Sequence, residues 1–181
     1  MKIVDIFGDQ RLLSFHYQGE TDNEFDRLMD FWTSVNEIRE YAKKNGITEK
    51  NELNKFVKSI NKNAEYIQDW LDEIENGEGN LEDFFEPLDN NEKHKEEKLY
   101  REECVITKQK GKRYVLRIYA LRIDLNTYLI TGGAVKWSEK MQEHDDTNNE
   151  LTKFTEAINY LSDNGVFDKD SLIDLKNEDE Y

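Results

Sequence analysis

The sequence predicts an α+β protein: a long antiparallel helix hairpin packed on a small antiparallel sheet, with a C-terminal helix closing the chain. Three observations predict it. Between residues 22 and 76, apolar residues recur three and four apart in two stretches separated only by Asn45-Gly46-Ile47. Strand-like patterns of short apolar runs stand before them, at 2–7 and 11–17, and after them, at 114–131. A last helical stripe runs through Leu151, Phe154, Ile158 and Leu161. A chain of 181 residues suits one domain over 1–181, with sheet core and terminal helix at about 104–165 and an acidic tail at 170–181.

Taken in order, KIVDIF and RLLSFHY flank Gly8-Asp9-Gln10 and read as a hairpin. Thr21-Asp22-Asn23-Glu24 is a capping-box pattern. The helix behind it carries Phe25, Leu28, Trp32, Val35, Ile38 and Ala42 on one stripe and should stop near Gly46. Thr48 then caps a second helix with Leu53, Phe56, Ile60, Ala64, Ile67, Leu71 and Ile74, ended by Gly77. The connection is too short for anything but an antiparallel pair, each arm roughly 35 Å long at about 1.5 Å per residue. Leu81, Phe84, Phe85 and Leu88 form an apolar island, one helical turn ended by Pro87. Residues 104–110 extend a charged helix or form a further strand, and the pattern leaves both open. Val115 to Ile123 is the central strand, Asp124-Leu125-Asn126 a turn, and Thr127–Thr131 the returning strand, broken or bent at Gly132-Gly133. Thr147-Asn148-Asn149-Glu150 is a second capping box, and the helix it opens stops at Gly165. A loose short helix and an acidic end follow.

Charge is distributed unevenly. The formal net charge is −15, yet residues 104–140 hold eight Lys and Arg against Asp124 and Glu139. No stretch of about 18 apolar residues exists, so no membrane span and no membrane partner are expected. The single Cys104 excludes an intramolecular disulfide, and His16, His94 and His144 have no partners at ligand spacing. A cytoplasmic protein without metal or cofactor is expected. No phosphate-loop, dinucleotide, zinc-protease or nucleophile-elbow motif is present.

The basic strand pair is the constellation that remains. Arg117, Arg122, Lys136 and Lys140, with Tyr119 and Tyr128, could hold a polyanion, since guanidinium forks match phosphate and tyrosines stack on bases. The plainer account makes these cations counter-charges for the acidic helices of the same chain. Arg117 and Arg122 lie on opposite faces of a regular strand. The face of Val115, Tyr119, Leu121 and Ile123 is the more apolar and should meet the helix hairpin. That places Arg117 at the core's edge with a partner and Arg122 on the open face near Lys136.

From Phe85 onward, the element order resembles the RelE/HigB branch of bacterial toxins. Glu86-Pro87-Leu88 stands where such proteins have a Pro-Leu before the sheet. Leu116-Arg117-Ile118-Tyr119 is similar to their Arg-x-x-Tyr strand, with one residue fewer between Arg and Tyr. Leu129 to Lys136, then Lys140, resembles their L-L-x-G-F-x-K-K-x-x-K segment, with Trp137 in place of the second Lys. Glu150-Leu151 occupies the place of their final E-I-x-x-A helix. Leu116–Leu161 also resembles a toxin-related family of uncharacterised Bacteroidetes proteins, sharing L-R-x-Y-A-x-R-I and I-T-G-G-A-x-K.

The resemblance implies a RelE-like fold and a type II toxin component that cleaves mRNA on the ribosome without metal. It also implies a small helix-turn-helix antitoxin as partner. In that case Arg117, Arg122, Lys136 and Lys140 bind and polarise phosphate, and Tyr119 or Tyr128 orients the 2′-OH. The alternative is a non-enzymatic interaction module on the same fold, whose acidic helices receive a protein with a basic patch.

Overall fold

The computed structural model describes residues 1–87, 102–106, 115–136 and 145–178. The elements are β1 (Lys2–Asp5), β2 (Leu12–His16), α1 (Glu24–Thr33), α2 (Val35–Lys44), α3 (Lys50–Glu75), α4 (Leu81–Phe84), β3 (Phe85–Pro87), β4 (Glu102–Ile106), β5 (Leu116–Asp124), β6 (Thr127–Val135), α5 (Asp145–Asp163) and α6 (Lys169–Glu178). The α+β class is as expected. Residues 102–106 form a strand, which decides for 104–106 the question left open over 104–110; residues 107–110 lie outside the described residues.

The sheet has six strands in the order β1-β2-β6-β5-β4-β3. It is mixed rather than wholly antiparallel, because β2 runs parallel to β6, with Leu13 opposite Leu129. The long stretch between those two strands lets the chain return in the same direction. Pro87 stands at the end of the edge strand β3, where its missing N–H costs no ladder bond.

Two adjacent glycines in β6 reveal the layering. A Cβ on Gly133 would meet Leu28 and Trp32 of α1, whereas one on Gly132 would meet Glu150 of α5. Successive strand residues point to opposite faces, so α1 and α5 lie on opposite sides of the sheet. Helix α3 packs on α1 and β5, completing the first side. Arg117 pairs with Ala134 and Tyr119 with Gly132, so both face α5; the Tyr119 and Phe154 rings lie edge to face, 5.8 Å apart. The helix hairpin therefore covers the opposite face of β5 from the one expected. Both faces of the strand are apolar enough to be buried, and counting residues on each could not tell which helix each would meet.

The hairpin's first arm is two helices, not one. Ser34 ends α1 with its N–H on the carbonyls of Asp30 and Phe31, and opens α2 by accepting from the Glu37 N–H. This break resets the helical phase. Val35, expected on the buried stripe, is 44 % exposed, while Ile38 and Ala42 remain buried. The Asn61 amide donates to the Trp32 carbonyl at 2.7 Å, beside the break. Caps also shift: Asn23 rather than Thr21 caps α1 through the Asp26 N–H, and α3 starts after Glu49 with no side-chain cap. Helix α2 does end as expected, at Gly46 with φ +89°.

On α3, Leu53, Val57, Ile60, Ala64, Ile67, Leu71 and Ile74 are buried; Val57 takes the place expected for Phe56. Buried Asn63 accepts from the Val115 N–H at 2.6 Å, fixing the start of β5 on α3. Strand β6 runs through both glycines to Val135, with Thr131 bulged between the pairs Tyr119–Gly132 and Ala120–Ile130. The tail forms the ordered helix α6, tied to β1 by a Lys176–Asp5 ion pair at 2.7 Å.

Candidate functional site

Where β6 ends, α1 and α5 approach from opposite faces and leave a cleft of about 510 Å³. Its walls combine aromatic rings, among them Tyr17, Phe31 and Trp32, with carboxylates and cations. The polar part is one connected cluster. Glu24, 2 % exposed, receives both Nε and Nη2 of Arg27 at 3.0 and 2.7 Å. The same carboxylate receives Lys153 Nζ at 2.7 Å, and that ammonium also contacts Glu150 Oε1 at 3.1 Å. Lys153 thus bridges two glutamates from different helices and lies 5.6 Å from the Tyr17 ring centre. The bulge at Thr131 frees its carbonyl, which accepts from the Tyr17 hydroxyl at 2.7 Å.

Burial sets the electrostatics. It pushes the Glu150 carboxyl up to about 7, against the lowering pull of Lys153. The same cause raises Tyr17, helped by Glu24, and raises Tyr119 to about 12, against the pull of Arg117. The hydrogen bonds that Arg27 donates to Glu24 raise the guanidinium further and keep it cationic. Tyr119 Oη and Glu150 Oε2 are buried and have no hydrogen-bond partner among the described residues. A carboxyl that titrates near neutrality, beside a lysine and in an open cleft, is equipped to take and return a proton. Among the described residues, no three His, Cys, Asp or Glu side chains are grouped to hold a metal ion.

The expected site residues that the structure describes do not share one surface. Arg117 is 7 % exposed and Tyr119 2 %, both behind Glu150 on the α5 face. Arg122 stands opposite Tyr128 at the far end of β5, paired to Glu82 at 2.6 Å. The Glu82 carboxyl is held below its usual range by the Asn126 N–H and then by Arg122. Tyr128 is buried and stacked on Phe85, ring centres 4.7 Å apart. Lys136 follows Val135, which lines the cleft, and its N–H donates to the Val115 carbonyl. Arg122 and Lys136 therefore lie at opposite ends of the ladder, about 20 Å apart at about 3.3 Å per residue, and not near each other as expected. Lys140 lies outside the described residues.

Sequence reasoning missed the whole cluster: Tyr17, Glu24, Arg27, Glu150 and Lys153. Glu24 and Glu150 are each the last residue of a Thr-x-Asn-Glu tetrapeptide that reads as a capping box. Both instead turn inward onto Lys153. The repeated tetrapeptide was the available signal, but among 40 acidic residues it read as local capping.

In comparisons with known proteins, no family model, no curated protein and no solved structure matches the chain.

Proposed function

We propose that the chain is a cytoplasmic RelE/HigB-like toxin component of a type II toxin–antitoxin pair. It acts as a metal-independent mRNA endoribonuclease, with the chemistry centred on the α1–α5 cleft. The observation that carries this reading is Glu150, a carboxyl at about 7 in contact with a lysine in the cleft wall. Ionised Glu150 removes the 2′-OH proton, and the oxygen attacks the adjacent phosphorus. The P–O5′ bond breaks, leaving a 2′,3′-cyclic phosphate, and Lys153 protonates the departing oxygen. The proton on Glu150 then returns to Lys153 along their contact. Arg27 offsets the charge that builds on the phosphate, and Lys136 at the cleft end holds the strand. Arg117 and Tyr119 act through Glu150, setting its surroundings.

The test is induction in a bacterial host of wild-type chain, Glu150→Gln and Lys153→Met, followed by growth and by mapping of mRNA ends. Wild type should arrest growth and cut mRNA; both variants should be harmless and folded. Co-expression of a small helix-turn-helix partner should relieve arrest. Growth arrest by Glu150→Gln equal to wild type sinks the assignment.

A second reading, a non-enzymatic interaction module, is favoured by three observations. Arg122 is neutralised by Glu82, and Glu20 and Glu156 line the cleft with their charge. A net charge of −15 suits a partner with a basic patch. Pull-down with and without ribonuclease treatment separates the two: a partner retained after treatment supports the module.

A further inference from the structure

Among the described residues, Arg117, Arg122 and Lys136 of the expected basic strands do not share one open surface, but cations elsewhere in the molecule do. Between α2 and α3 lies a second cleft, of about 470 Å³, lined by Arg39, Asn54, Lys58, Asn61, Lys62 and Glu65 over buried Val57. Three of these side chains are cations and one is a carboxylate. Helix α3 is apolar along one stripe and basic along part of its exposed side. On the exposed side of the same helix, Lys55, Lys58 and Lys62 recur at three and four residues, so they share one face.

Several cations of the protein are neutralised where they stand. Arg27, Lys43, Arg122, Lys153 and Lys176 each pair with a carboxylate. Among the described residues, Arg39, Lys58 and Lys62 have no such ion pair: Arg39 donates to Asn54 Oδ1 at 2.9 Å, and Lys62 lies 5.4 Å from the Tyr66 ring centre. In a chain with 40 acidic residues, three neighbouring unpaired cations mark a place where negative charge is left for a ligand to supply. The groove is also joined to the candidate site. The Trp32 ring lines the α1–α5 cleft, while its carbonyl holds Asn61, which lines the groove.

We infer that the α2–α3 groove, through Arg39, Lys58 and Lys62, docks the phosphate backbone of single-stranded RNA whose scissile bond reaches the α1–α5 cleft; this rests on the ribonuclease reading above. The lysines act as point charges on successive phosphates, and the Arg39 fork takes one in two-point geometry. Such contacts position a strand without reading its bases, so binding is salt-sensitive and tolerant of sequence.

The test is fluorescence anisotropy of a short labelled oligouridylate with the full chain over a salt series. Lys58→Glu/Lys62→Glu should weaken binding at low salt by about tenfold or more. It should also flatten the slope of log affinity against log salt by about 1.4, at about 0.7 per lost contact on a single strand. Lys2→Glu/Lys169→Glu, the same charge change on β1 and α6, should cost much less. Equal loss in both double variants would assign the effect to net charge and overturn the groove. Absence of binding by wild type would also overturn it. So would polyglutamate competing as well as unlabelled RNA, since the groove would then serve an acidic protein. If wild type binds RNA through these lysines and RNA cleavage is absent, the groove stands and the cleavage reading alone falls.

Discussion

The Glu150 carboxylate occupies the space a side chain on Gly132 would need. A Cβ built there lies 2.7 Å from Glu150 Cδ, closer than such atoms approach. The absence of a side chain in β6 is thus what lets α5 lay a carboxyl against the sheet. That close approach buries the carboxyl and raises its pKa.

Alanine at the two glycines should therefore separate a flexible obstacle from a rigid one. Gly132→Ala displaces the end of a glutamate and should cost about 1–3 kcal/mol. Gly133→Ala meets the Arg117 carbonyl at 2.6 Å and Leu28 at 2.7 Å. Backbone cannot swing aside, so Gly133→Ala should cost more. Denaturant unfolding of both variants checks the order. Gly132→Ala combined with Glu150→Ala should recover part of the loss, because the obstacle is gone.

Stability should fall as pH rises through the range in which Glu150 titrates. The carboxyl goes from an ordinary 4.5 to about 7 on folding. Below about 4.5 it is protonated folded or unfolded and contributes no pH dependence. Between 4.5 and 7 the unfolded chain loses the proton and the folded chain keeps it, which favours unfolding. Above 7 the penalty is complete, on the order of 3 kcal/mol at about 1.4 kcal/mol per unit. Unfolding midpoints of wild type and Glu150→Gln from pH 4.5 to 8 should diverge and then run parallel; parallel behaviour throughout contradicts the assignment.

Lys153 holds the Glu150 value down through its charge and hydrogen bond. Lys153→Met should raise the Glu150 midpoint further, read from the pH dependence of its carboxyl ¹³C shift. An unchanged midpoint would mean that the two side chains are not in contact in solution.

Arg117 and Arg122 should differ in stability although both were candidates for one site. The Arg122–Glu82 pair is about one-third exposed on each side, so Arg122→Ala should cost about 0–1 kcal/mol. Arg117 is 7 % exposed in the layer under α5, where truncation removes packed side chain. Arg117→Ala should cost about 2–4 kcal/mol by the rules for buried groups. Urea unfolding of both variants decides it.

The amino-acid sequence alone determined the α+β class, the apolar stripes of α1 and α3, the β1–β2 hairpin and the helix ends at Gly46, Gly77 and Gly165. These follow from local rules, such as side-chain period and glycine's access to positive φ, that act within a few residues. Tertiary structure decided which helix covers which face of β5, because both faces of that strand are apolar. It also decided that β2 joins β6 in parallel, a pairing between segments more than a hundred residues apart. The candidate site belongs to this second group. The tetrapeptide that Glu24 and Glu150 share reads as local capping, and their chemistry arises only when α1 and α5 bring them to one lysine across the end of β6. Burial by distant segments, and not residue type, separates these two carboxylates from the many that remain in water.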